Sequence, residues 1–199
     1  PAFTGNWLRR QFGPDSPLPT SSNWFDGLVV TWTALAGAAW VILPGAAATG
    51  PLLLMAGCLQ LWRLARWQGY RTFADPLVLV LHVCYSWLGV GLILMGVSQT
   101  WGGLSVSAGL HALGVGAMAG LIIAVSSRAA MGHTNRELAS DWMLSSVFIL
   151  INLSALARAI ASELPQVVYL AGFLWIAAFV VYGIRIAPML LKPALKSGL

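Results

Sequence analysis

Charge is what this sequence has least of: 9% of its 199 residues are Asp, Glu, Lys or Arg, against about 25% in a soluble globular domain. That scarcity excludes an ordinary soluble protein. The balance is basic, with 11 Lys and Arg, 6 Asp and Glu and a net charge of +5. The bases stand in a few connections, which excludes nucleic acid as a partner. Cysteine is nearly absent. Cys58 and Cys84 lie in separate apolar runs without C-x-x-C spacing, so neither a disulfide framework nor a thiolate zinc site is indicated, and packing is their role. No Gly-rich phosphate loop, no nucleophile beside a base and no H-E-x-x-H helix occurs,. Carboxylates are missing from every apolar run, which argues against a proton pump or proton-coupled transporter. The chain starts at Pro1 without the charged-then-apolar layout of a signal peptide, and reads as a processed chain or a fragment.

What is present is apolar: 58% of the residues are hydrophobic and the mean hydropathy is +0.79. Six runs stand out, Leu28 to Leu43, Pro51 to Trp67, Pro76 to Ser98, Leu104 to Ser127, Trp142 to Ala161 and Val167 to Leu190. At ~1.5 Å per residue most of them cross a hydrocarbon layer of about 30 Å, the second being short. Strands would leave backbone groups unsatisfied in lipid. The fold class is therefore all-α, a polytopic membrane bundle of about six transmembrane helices. One transmembrane domain spans 1–199, with a loop or interfacial segment at 1–25, the bundle at 26–190 and a cytoplasmic tail at 191–199.

All Lys and Arg except Arg158 fall on one side of this arrangement, including Arg9, Arg10, Arg63, Arg66, Arg71, Arg185, Lys192 and Lys196. The positive-inside rule then puts both ends in the cytoplasm. Trp24, Trp62, Trp67, Trp101 and Trp142 fall near run ends, as an interfacial belt requires,. Asp75-Pro76 predicts a helix start. Gly132 and Asn135 suit left-handed turns around His133, and Pro188 and Pro193 are expected to end the last helix.

Three histidines carry the chemical interest. His82 and His111 lie inside apolar runs, where an ionisable residue is a functional-site candidate. His82 is roughly 9 Å deep from the basic side and His111 roughly 10 Å deep from the other, so two sites, one near each face, are expected. His82 has Tyr85 and Ser86 one turn away and shares its side with His133, so these two histidines could converge on one cofactor. Arg128 and Arg136 flank that region and suit carboxylates such as haem propionates, though anchoring at the interface is an equal reading. Met118, two helical turns after His111, offers a thioether for copper(I) or simply packs. Neutral imidazole is a common ligand for haem iron and copper, against the plainer alternative of helix-to-helix hydrogen bonding. Gly109, Gly114, Gly116 and Gly120 admit a neighbouring helix or a flat macrocycle. Arg158 and Glu163 are expected to pair, and Asn152 to bond across helices.

The stretches Pro1-Ala2-Phe3-Thr4-Gly5-Asn6-Trp7-Leu8-Arg9, Leu81-His82-Val83-Cys84-Tyr85-Ser86-Trp87-Leu88, and Met131-Gly132-His133-Thr134-Asn135-Arg136 after His111-Ala112-Leu113 together resemble the NnrS family of bacterial membrane proteins. The resemblance implies a fold of about twelve helices, of which this chain matches the second half. It also implies haem, of b type, and copper, with a role in nitric oxide metabolism and protection against nitrosative stress. Carried over, the motif histidines are His82, His111 and His133, with Arg128 and Arg136 beside the last. Asn135 and Glu137 stand where the family has Gly and often Pro. The expected partners are nitric oxide or a related small molecule, the bilayer and a missing N-terminal half that completes the sites. The competing readings are a permease-like or metal-handling protein whose histidines line a path, and a purely structural bundle.

Overall fold

The computed structural model describes residues 1–191. Lys192, Pro193 and Lys196, and with them nearly all of the expected tail, lie outside the described residues. Seven helices and no strand occur among them: α1 (Ala2–Phe12), α2 (Trp24–Ile42), α3 (Thr49–Ala65), α4 (Pro76–Trp101), α5 (Val106–His133), α6 (Trp142–Ile160) and α7 (Val168–Leu191). Short 3₁₀ turns at Gly69–Thr72 and Pro165–Val167 precede α4 and α7. Helices α2 to α7 match the six apolar runs in order. Five are long and apolar enough to cross a membrane; α3, with 17 residues that include Gln60 and Arg63, is the short one.

The ends have local causes, and some differ from expectation. α2 starts before Leu28 because Asn23 caps it. The Phe25 amide donates to Asn23 Oδ1 at 3.2 Å, and Asp26 Oδ2 accepts from the Asn23 amide at 3.0 Å, a reciprocal cap. Asp26 is thereby in the first turn of a helix long and apolar enough to span, and is only 6% exposed. Asp75 caps the Leu77 and Val78 amides with Pro76 first in the helix, as expected. α5 continues past Ser127 to His133, so Arg128 is helical. Asn135 takes the left-handed turn, with φ 53°. Pro188 sits within α7 and does not end it. Ala2–Phe12, expected as a loop or interfacial segment, is helical, with Arg9 and Arg10 in its last turn, where they complement the dipole.

α4 is the axis of the bundle, and glycine lets its neighbours close in on two sides. A Cβ on Gly57 of α3 would lie 2.6 Å from the Gly89 carbonyl oxygen, and one on Gly109 of α5 would lie 2.7 Å from that of Gly91. Helix association in lipid relies on such close approach. One apolar cluster, with Leu77, Cys84, Ile123, Leu144 and Ile151, joins α4 to α5, α6 and α7. A smaller one, with Ala36, Leu53, Ala56 and Leu92, joins α4 to α2 and α3. At one end Gly50 packs against Gln99 and Thr100, and the Ser105 amide donates to Glu163 at 2.7 Å. Glu163 therefore does not pair with Arg158 as expected; no ion pair joins them among the described residues. The other end gathers α1, the Gly69–Thr72 turn and the end of α5, and with them most of the basic residues.

Candidate functional site

His82 lies in the second turn of α4, facing α1 and the turn that precedes α4. Its Nε2 is 2.9 Å from Thr4 Oγ1 on α1. Gln68, left-handed at φ 54°, closes α3 sharply and throws Gly69 onto the imidazole, where a Cβ would come within 2.7 Å of Nδ1. Arg71 fixes that turn by donating to Gln68 Oε1 at 2.9 Å and to the Pro17 carbonyl at 2.6 Å. Trp67 meets the imidazole edge to face at 6.3 Å. Held on three sides, the ring buries an Nδ1 that has no hydrogen-bond partner.

Arg128 reaches the same helix from α5. Its guanidinium lies 4.7 Å from the ring of Phe3, the residue beside Thr4, and one of its terminal nitrogens is also buried without a partner. Consecutive residues of α1 thus cover two buried polar groups with unmet hydrogen-bonding capacity, one offering N–H donors and the other a ring nitrogen. Buried polar atoms without partners are rare, and each needs an explanation.

Next to this pair runs a closed polar chain. Arg63 donates to Asp26 at 2.7 Å and to the Tyr85 hydroxyl at 2.7 Å; Tyr85 donates to Gln60 at 2.6 Å; Gln60 donates to Thr33 at 2.8 Å. Tyr85, expected near a cofactor, is instead engaged on both sides of its oxygen, while its ring lies 4.7 Å from Trp67. Trp67 is accordingly an inward residue with Arg63 over its face, unlike Trp24, Trp62, Trp101 and Trp142, which are exposed as a belt requires. Sequence reasoning missed Asp26, Thr4 and Gly69. The Asn23-x-x-Asp26 spacing was a signal for the first; Thr4 stood within the Pro1 to Arg9 stretch without being singled out, and nothing in the sequence marked Gly69.

The remaining candidates stand apart. Along the antiparallel α4 and α5, Gly120 packs on Cys84, Gly116 on Trp87 and Gly109 on Met95. His111 is thereby level with about residue 92 of α4, roughly 15 Å along the axis from His82. The expectation of two separate depths agrees with this packing. Three glycines of the stripe, Gly109, Gly116 and Gly120, are covered by α4, while Gly114 has open space beside it. The eight residues after His111, Ala112–Ala119, are π-helical. That wider ladder breaks the two-turn relation to Met118, which is 63% exposed and does not share the face of His111 as expected. His133, the last residue of α5, is exposed. Arg136 donates to the Met189 carbonyl at 3.3 Å, closing the end of α7. No group of three His, Cys, Asp or Glu is placed to hold a metal among the described residues. Asn152 bonds across helices as expected, accepting from Trp87 Nε1 at 2.9 Å.

An apolar groove of about 570 Å³ opens between α4 and α6. Leu79, Val83 and Ser86 on its wall are the helical neighbours of His82, and Trp87, Phe148 and Asn152 form its deeper part. Its size is that of a small-molecule site.

A protein-family model described as NnrS protein matches residues 1–194. The chain belongs to the NnrS family. No curated protein and no solved structure matches it. Family membership together with five apolar spanning helices makes it a membrane-embedded protein.

A haem needs an axial donor and cations for its carboxylates. The buried, unpartnered Nδ1 of His82 and the unpartnered N–H of Arg128 fit those two demands on the basic side of the bundle. Copper finds no comparable set: His111, His133 and Met118 do not converge with one another or with His82, and donors from outside the described residues would be needed.

Proposed function

We propose that this NnrS-family chain is a haem-binding membrane protein of nitric oxide metabolism, acting in the response to nitrosative stress, with His82 as the residue that would hold the haem iron. The observation that carries this reading is the pair of unpartnered buried polar atoms beneath α1, His82 Nδ1 and Arg128 Nη1. Membership of the family supports a nitric-oxide-associated role in general. Bound haem supplies an iron centre that coordinates nitric oxide. The protein's own residues do the rest. Arg128 would donate to a haem carboxylate, Trp67 packs edge-on against the imidazole, Phe3 lies against the Arg128 guanidinium, and α1 closes the site from the basic side. Nitric oxide is small and apolar, so the lipid-facing groove along Leu79 and Val83 is a sufficient approach. Copper is proposed as a second cofactor only with donors supplied from beyond the described residues, and no step is assigned to it.

A path for ions or metals would need free polar groups in sequence across the bilayer. The Asp26, Arg63, Tyr85, Gln60 and Thr33 side chains bond one another instead, so the permease reading gains nothing from them.

The test is an anaerobic optical spectrum with metal analysis of protein purified after haem- and copper-replete expression, for the native chain and for His82→Ala, His111→Ala and His133→Ala. The expected result is a Soret band that His82→Ala removes or shifts and the other two leave in place. A native protein without iron would overturn the proposal.

A further inference from the structure

We infer that the cleft between α1 and the strap leading into α2 is a site for a phosphate group, held by Arg9 together with Asn6, Ser21 and Ser22. This site is separate from the His82 region and does not depend on the function proposed above.

The strap is fixed at both ends. The Pro17 carbonyl accepts from Arg71 at 2.6 Å, and Asn23, next after Ser22, caps α2. Between these anchors Leu18 and Pro19 lie over Gly5 of α1, where a Cβ would meet them at 3.8 and 3.9 Å. Beside that contact a cavity of about 410 Å³ remains, with Asn6 and Arg9 on its α1 wall and Ser21 and Ser22 on the strap. Asn6 and Arg9 stand three residues apart and so share one face of the helix. The buried Thr4 and Leu8 take the other face.

Among the described residues none of these four side chains has a hydrogen bond or ion pair. Arg9 brings the one full charge, the amide and the two hydroxyls bring neutral donors, and no carboxylate lines the cavity. A guanidinium fork matches paired anionic oxygens. A phosphodiester, with a single negative charge and several oxygens, suits one guanidinium and three neutral donors. Leu18 and Pro19 give the cavity an apolar edge, and Phe3 and Phe12 are exposed on the same helix, as at a bilayer surface. Lipid headgroups present phosphodiesters at that level, and a soluble phosphate presents the same oxygens. Because α1 sets Thr4 against His82 and Phe3 against Arg128, an anion held in the cleft would fasten the helix that covers both.

The experiment is hydrogen exchange of α1, read by mass spectrometry on the full chain purified in a phosphate-free maltoside detergent and titrated with phosphatidylglycerol or with inorganic phosphate. Exchange in α1 is expected to slow to a plateau. Arg9→Gln should weaken the midpoint about tenfold, as loss of a charge-assisted hydrogen bond allows, and Ser21→Ala with Ser22→Ala should weaken it too. Arg10→Gln removes the same charge from the same helical turn but from outside the cavity, and should leave the midpoint nearly unchanged. Slowing by both additives shows recognition of phosphate itself; slowing by phosphatidylglycerol alone assigns the site to a lipid headgroup, and by inorganic phosphate alone to a soluble ester. No slowing by either, or a midpoint that Arg9→Gln leaves in place, would overturn the inference. So would equal weakening by Arg9→Gln and Arg10→Gln, the mark of a general attraction between a basic helix and an anionic surface.

Discussion

At His82 one ring nitrogen meets the Thr4 hydroxyl, and the Gly69 backbone packs against the ring on its Nδ1 side. Gly69→Ala would set a methyl carbon 2.5 Å from the ring carbon Cγ and push the imidazole aside. Because Thr4 and Trp67 hold the ring from other sides, the methyl group cannot be accommodated by a simple rotation. The expected outcome is a loss of bound haem, with an overpacking cost of about 1–3 kcal/mol, read from the Soret absorbance and the thermal midpoint of the same preparation; full haem content would remove Gly69 from the site. Asp26 makes a separate case. Its carboxylate pairs with Arg63 at 2.7 Å, with side-chain exposures of 8% and 18%, so neither group is screened by bulk water. Asp26→Ala leaves the Arg63 charge buried beside Tyr85, a situation that costs about 3–5 kcal/mol. The double variant Asp26→Ala with Arg63→Met should recover much of that loss. A double-mutant cycle from thermal unfolding in detergent checks this, and strict additivity would mean the pair carries no coupling.

At the scale of elements, hydropathy alone located α2 to α7, because runs of that length with so little charge have no other stable arrangement in lipid. It placed the ends less well. The Asn23 cap drew α2 back to Trp24 and took Asp26 into its first turn. α5 ran on through Arg128, because Gly132 and its neighbours tolerate helix as well as turn. Of the site, His82 and Arg128 were legible as ionisable groups at a membrane boundary. Their shared cover was not, since α1 has none of the length that marks a spanning helix, and the contacts of Thr4 and Gly69 join residues far apart in sequence. The π-helical stretch after His111 was also hidden. It coincides with the Trp87 indole lying against Gly116, a tertiary cause that periodicity does not record. The glycine contacts make a prediction at this scale. Gly57→Leu must separate α3 from α4 at the Gly89 carbonyl, and Gly109→Leu must separate α5 from α4 at that of Gly91. Each is expected to lower the thermal midpoint in detergent, whereas Gly37→Leu, with open space around it, should not. Equal midpoints for all three would mean that these crossings are not tightly packed.

Across the whole molecule the two ends differ in what closes them. The end with Glu163 is joined mainly by backbone and short polar contacts, while the basic end carries α1, the His82 site and a charged link between the last two helices. In that link Arg185 of α7 pairs with Asp141, the residue that caps α6 through the Leu144 amide. Burial opposes the charge on Asp141, yet the Leu144 amide and the Arg185 guanidinium together outweigh it and hold the carboxyl below its ordinary range. A carboxyl whose pKa is depressed by folding stabilises the fold at every pH above its unfolded value, and that contribution is lost as pH falls through the folded value. The α6–α7 pair should therefore be indifferent to pH near neutrality and weaken only in acid, below the usual carboxylate range. Asp141→Asn removes the ionisation but keeps an oxygen for the Leu144 amide, so its stability should be lower near neutrality and should converge on that of the native chain in acid. Thermal midpoints in detergent from about pH 7 down to about pH 3 give both curves. Curves that stay parallel to the acid limit would show that Asp141 and Arg185 do not couple the last two helices, and that the basic end is held by α1 and the apolar clusters alone.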